Sequence, residues 1–121
     1  MIGPGDEITT VALIAADNYT ATVTGTGLDK TDYEGRAKVT LVTGTVAGDT
    51  PTLDVTLQHS DDDSTYSTIY TWGQVTAAGN PASTVVNADS LKKYVRAVAT
   101  IAGTTPAFGV AVLWQGMKKS I

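Results

Sequence analysis

Apolar and polar residues alternate along most of this chain with a period of two. The clearest run is Thr52 to His59, where Leu53, Val55 and Leu57 fall on one face and Thr52, Asp54, Thr56 and Gln58 on the other. Successive side chains of a strand point to opposite faces, so this pattern predicts a half-buried strand. Arg36 to Val46 reads the same way, with Ala37, Val39 and Leu41 inward, and so does Tyr94 to Ala102, with Val95, Ala97, Ala99 and Ile101 inward. Phe108 to Trp114 places Phe108, Val110, Val112 and Trp114 on one face. Tyr19 to Thr26 alternates Tyr19, Ala21 and Val23 with threonines, and Thr65 to Trp72 sets Tyr66, Tyr70 and Trp72 on one side. Thr84 to Ala88 is a shorter apolar strand.

Turn residues separate these runs: Ala47 to Pro51, Ser60 to Ser64, Gly73 to Ser83 and Gly103 to Pro106 are rich in Gly, Pro, Asp and Ser. A helix start is visible near Asp89 and Ser90, too short to matter. Short strands at this spacing predict an all-β fold, an antiparallel β-sandwich with the jelly roll as its candidate arrangement. The predicted core is Leu53, Val55, Leu57, Val95, Ala97, Ala99, Val110 and Val112.

The run from Ile8 to Ala16 is apolar without clean alternation and follows Gly3-Pro4-Gly5, which does not join a central strand easily. Residues 1–17 are therefore read as an N-terminal arm and residues 18–121 as the sandwich domain. Burying each Ile, Val or Leu is worth about 1.5–3 kcal/mol. Ile8, Val11, Leu13 and Ile14 are accordingly expected to lie against a neighbouring molecule, and removing the arm is expected to leave a folded domain.

Composition narrows the chemistry. A chain of 121 residues makes one domain. It has no cysteine and one histidine, His59, so thiolate sites and multi-histidine metal cages within one chain are excluded. The net charge of −4 argues against a general grip on nucleic acid. Neither a basic leader nor a run long enough to span a membrane is present, which predicts a soluble protein without a standard export signal.

Candidate catalytic groups have simpler readings. Asp61-Asp62-Asp63 lacks the spacing of a calcium loop and suits a solvated hairpin tip. His59 has Ser60 and Asp61 as neighbours, but adjacent strand residues point to opposite faces, so a nucleophile–base pair does not form there. No phosphate-binding glycine loop occurs. The expectation is a protein that is not an enzyme and needs no cofactor or metal. The cations Arg36, Lys38, Lys92, Lys93, Arg96, Lys118 and Lys119 lie on or beside predicted strands, where they can form a patch. They either protect edges or contact an acidic partner.

Three segments read together carry a family likeness: Tyr33-Glu34-Gly35-Arg36-Ala37-Lys38-Val39-Thr40-Leu41, Leu53-Asp54-Val55-Thr56-Leu57-Gln58-His59-Ser60-Asp61-Asp62, and Lys92-Lys93-Tyr94-Val95-Arg96-Ala97-Val98-Ala99-Thr100. This combination resembles the small all-β virion proteins of tailed bacteriophages that act as capsid decoration, or cement, proteins. The resemblance spans about Tyr19 to Leu113. It implies a homo-oligomer, with the trimer favoured, on the outer capsid surface of the virion, reached from the host cytoplasm during assembly. It also implies that the major capsid protein is the partner, with neither nucleic acid nor membrane involved. The contact residues expected on this reading are Ile8, Val11, Leu13, Ile14, Arg36, Lys38, Lys92, Lys93 and Arg96. The stretch Gln58 to Asp62 also resembles a hairpin of discoidin-like carbohydrate-binding sandwiches, with Tyr66 in the place of their aromatic residue. That chain type is longer and carries cysteines. A glycan-binding module and a tail or connector component are the alternatives.

Overall fold

The structure, a computed structural model, describes residues 7–79 and 81–118. Seven strands follow one another among them: β1 (Glu7–Tyr19), β2 (Val23–Thr24), β3 (Leu28–Asp29), β4 (Tyr33–Ser60), β5 (Ser67–Thr71), β6 (Ala82–Asn87) and β7 (Tyr94–Lys118). Single 3-10 turns lie at Lys30–Asp32 and Ala88–Ser90, each opened by a side chain, Asp29 or Asn87, that accepts a backbone N–H two residues on.

β4 and β7 form one long antiparallel ribbon, with pairing that runs from Tyr33 opposite Lys118 to Ser60 opposite Tyr94. The ribbon bends in the middle, where register shifts occur between Thr43 and Thr52. The bend divides each strand into two arms, 33–47 and 52–60 in β4, 94–102 and 107–118 in β7. One leaf holds β1, the later arm of β7, the earlier arm of β4, and β6, in that order. The other holds β2 with β3, the earlier arm of β7, the later arm of β4, and β5. With arms counted as strands and β2 with β3 as one, the chain has eight, and the leaves read 1-8-3-6 and 2-7-4-5. The ribbon partners are thus first with eighth, second with seventh, third with sixth and fourth with fifth. This is a jelly roll, and it fulfils the all-β sandwich expected from the alternation.

The bend requires glycine. Gly48 has φ +110° and Gly103 φ +123°, a region that side chains disfavour. A Cβ on Gly48 would also lie 2.7 Å from the Thr105 carbonyl oxygen, and one on Gly103 would lie 2.9 Å from the Pro51 Cα. The two strands therefore cross backbone to backbone.

Both leaves pack into one core. Val39, Phe108, Val112 and Trp114 of the first leaf meet Leu53, Val55, Leu57, Val95 and Ala97 of the second, all fully buried or nearly so. Tyr33 and Trp114 add an edge-to-face pair at 5.6 Å. Trp72, at the end of β5, closes one side: its Nε1 donates to the Ala82 carbonyl of the opposite leaf at 3.2 Å.

Three sequence expectations are corrected here. Residues 7–17 lie within β1, an edge strand hydrogen-bonded to β7, so within the described residues the segment is part of the sandwich rather than an arm. Leu13 and Ile14, expected to touch a partner, are buried at 3% and 2% exposure. They are sequence neighbours, yet both face inward, because register shifts between Ala12 and Ile14 and between Ile14 and Asp17 break the period of two. The strand expected from Tyr19 to Thr26 is also reduced: β1 ends at Tyr19, and Val23–Thr24 alone pairs beyond it.

Truncation separates the two readings of β1. Ile14→Ala is expected to cost about 2–5 kcal/mol in urea denaturation, as Leu57→Ala is. Ile8→Ala is expected to stay within about 0.5 kcal/mol, because the Ile8 side chain is 60% exposed. An Ile14→Ala loss as small as that of Ile8→Ala would return the segment to the surface.

Candidate functional site

The sandwich has two outer faces, and the charged residues singled out in the sequence divide between them. Alternation decides the division. In the second leaf, Val95, Ala97, Leu57 and Val55 face inward, which turns Arg96, Gln58 and Thr56 outward. In the first leaf, Ala37, Val39 and Trp114 face inward, which turns Arg36, Lys38 and Gln115 outward. Of the cations singled out in the sequence, Arg36 and Lys38 stand on the first leaf and Arg96, Lys92 and Lys93 on or beside the second, while the side chain of Lys118 and all of Lys119 lie outside the described residues.

The chain's own loop between β4 and β5 folds back over part of the second leaf's face. Asp62 organises that loop. Its Oδ1 accepts from the Thr65 N–H at 2.9 Å, the Ser64 N–H at 3.0 Å and the Ser60 hydroxyl at 2.8 Å. The Thr65 N–H above all, with the Ser60 hydroxyl and Ser64 N–H, lowers the Asp62 pKa to about 2. The loop carries Tyr66 across the sheet. The Arg96 guanidinium lies 3.8 Å from the Tyr66 ring centroid, and Arg96 Nε donates to Gln58 Oε1 at 2.9 Å. The Tyr66 hydroxyl donates to the Asp63 carboxylate. Burial first, then the Asp63 hydrogen bond and charge, raises the Tyr66 pKa to about 12. Lys92 pairs with Asp61 at 3.9 Å on the exposed loop, and Lys93 lies 5.2 Å from the Tyr94 ring centroid. Arg96, Lys92 and Lys93 are therefore engaged within the chain.

His59 sits beside this loop. Its Nδ1 accepts the Lys92 backbone N–H at 3.2 Å, so that nitrogen is not available to take a proton from a hydroxyl. Burial and then the Lys92 charge lower its pKa, so the ring is held neutral. Among the described residues no three His, Asp or Glu side chains gather at metal-binding distance.

The aromatic stripe expected from Thr65 to Trp72 divides as well. A register shift between Leu57 and Gln58 separates Tyr66, which crosses the outer face, from Tyr70 and Trp72. Those two meet edge to face at 5.1 Å. Trp72 is 3% exposed and borders a hollow of about 410 Å³ between the leaves, lined also by Leu41, Thr43 and Val75. An indole buried this far offers no open platform for a sugar ring.

The first leaf's outer face carries Arg36 and Lys38, both exposed. Ile8 joins them from β1, Val85 from β6, and Gln115 and Met117 from β7, around a hollow of about 430 Å³. Of the expected partner contacts, Ile8, Arg36 and Lys38 come together here, while Val11 packs half-buried against the core. Sequence reading missed Val85 and Met117. Val85 had a signal: it stands between Thr84 and Val86 in a short strand whose inward residue is Val86, so its own side chain is turned to water.

No protein-family model and no curated protein matches the chain. Among solved structures, the fold is similar to that of the PBSX exported protein XepA, with a TM-score of 0.57 and 21% identity over 96% of this chain and 38% of XepA. The likeness is one of fold, and it covers a part of that longer protein.

The Asp62 geometry has a measurable consequence. Its folded pKa is depressed, so its stabilisation of the loop is complete above the ordinary carboxylate pKa near 3.8 and is lost as pH falls through about 2. In a carboxyl NMR titration Asp62 is expected to stay ionised to about pH 2, with the Ser64 and Thr65 amides losing protection together with it. A midpoint near 3.8 would show that the three hydrogen bonds do not persist in solution.

Proposed function

We propose that this chain is a structural virion protein of a tailed phage, one that decorates and stabilises the capsid by binding the major capsid protein as a homo-oligomer. The observation that carries the reading is the fold. Over 96% of its length the chain is similar in fold to part of a solved structure, the PBSX exported protein XepA. Fold alone hosts many functions, so the chemistry of the chain must agree with it.

It does so in two respects. The polar groups singled out as candidates for chemistry are engaged in the structure: Asp62 by loop N–H groups, His59 Nδ1 by Lys92, and Arg96 by Gln58 and Tyr66. The side chains left over are those that suit protein contact, with Ile8 and Val85 in water beside Arg36 and Lys38. A homo-oligomer with cyclic symmetry, the trimer by resemblance to the decoration proteins, matches a three-fold lattice position. Several weak contacts on one particle then act together through effective concentration.

The test uses the purified full chain and decoration-free capsids of the phage that encodes it. Saturable co-sedimentation is expected, and light scattering is expected to give the mass of a trimer. A chain that remains monomeric and stays in the supernatant at every salt concentration would defeat the reading, and binding on a glycan array would then favour a carbohydrate module.

A further inference from the structure

The two outer faces of the sandwich are not equivalent. On the second leaf the segment 61–66 folds back and sets Tyr66 over Arg96, whose Nε is bonded to Gln58. The first leaf has no such cover among the described residues. Strand register lines up its outer row: Thr10 opposite Gln115, Gln115 opposite Lys38, and Lys38 opposite Val85. Ile8 stands opposite Met117 at one corner. Ile8 and Val85 are 60% and 57% exposed, on either side of the hollow that Arg36, Lys38 and Met117 also line. Among the described residues Arg36 and Lys38 make no ion pair, although the chain as a whole carries a net charge of −4.

We propose that this face is the docking surface, and that its occupant is an acidic protein surface on the capsid: an apolar spot seated on Ile8, Val85 and Met117, with carboxylates that pair with Arg36 and Lys38. The inference rests on the capsid reading above and adds the orientation. The first leaf faces the capsid, and the loop-covered second leaf faces away.

Charge and composition select a protein partner. The two cations that the described residues place on this face of a net-negative chain are too few for a phosphate backbone, whose affinity comes from many neutralised phosphates. A lipid surface calls for a strongly basic face with large aromatic anchors, and this row offers Ile, Val and Met. Arg36 presents a planar fork suited to a carboxylate, and Lys38 a second point charge two residues on, on the same face. The apolar positions of such a patch govern the dissociation rate, and its charges steer association.

The experiment is co-sedimentation of the full chain with decoration-free capsids, for the wild type, Val85→Glu, Lys38→Glu and the second-leaf control Lys93→Glu. Melting curves confirm folding, with Val85→Ser in place of Val85→Glu if the latter melts early. Val85→Glu and Lys38→Glu are each expected to weaken docking by about tenfold or more, and Lys93→Glu by less than about twofold. Wild-type docking is also expected to weaken by about tenfold between low salt and about 1 M, where the screening length falls to about 3 Å. Wild-type docking with both first-leaf variants unimpaired would overturn the face and leave the capsid reading standing. Docking indifferent to salt would overturn the carboxylate partner. First-leaf variants that change the oligomer mass but not docking would make the face a self-interface and overturn the proposal. A wild type that never docks would overturn the capsid reading, and the face assignment with it.

Discussion

The crossing of β4 and β7 at their bend is the constraint on which the other features depend. A flat two-stranded ribbon buries neither face. Folded over at Gly48 and Gly103, the same ribbon supplies the central pair of both leaves, and its inward residues on the two arms become each other's core. The crossing leaves no room for a side chain: even a methyl group at either glycine would press on backbone atoms of the other strand. Every other strand then hangs on an arm of this ribbon, β1 and β6 on one leaf, β2, β3 and β5 on the other. The cost is kinetic. Tyr33 must find Lys118 and Ser60 must find Tyr94, so loop closure precedes most of the contacts that reward it, and folding of such topologies is slow.

The sequence was legible where the period of two held and illegible where a bulge interrupted it. Leu53, Val55 and Leu57, with Val95, Ala97 and Ala99, lie in the core as their alternation required. Leu13 and Ile14 do not alternate because two register shifts turn both inward, and without alternation an integral strand reads as a loose apolar arm. A shift in the β4–β5 pairing likewise separates Tyr66 from Tyr70 and Trp72, which a regular strand would have kept together. The cations are a different case. Alternation shows that Arg36, Lys38 and Arg96 face outward, but not which leaf each belongs to. That depends on the bend, and its crossing partner lies half a chain away in sequence.

The acidic loop shows how a local feature changes a distant surface. Three adjacent carboxylates look like an ion site, yet Asp62 is used up by three donors within its own turn. The turn fixes where Tyr66 begins, and Tyr66 covers Arg96. A cation that would otherwise lie bare on the second leaf is thereby desolvated against a ring and held by Gln58. The asymmetry between the two faces follows from this loop. Both sheets have polar and apolar residues turned outward, and one of them has a segment long enough to fold back over it.

Strand addition at an edge is disfavoured by the same irregularities that hid β1. An added strand needs a long regular row of free N–H and C=O groups. β1 is long, but its register shifts break that row, while β5 and β6 have five and six residues. The faces carry no such restriction, because their side chains are set by pleat alone. A substitution on the outer row of the first leaf also leaves the inward row untouched, since Lys38 and Val85 alternate with Val39 and Val86. Stability resides in the inward row, and the outer row is interleaved with it along the same strands, so the outer side chains are free to change without disturbing the bend or the core beneath them.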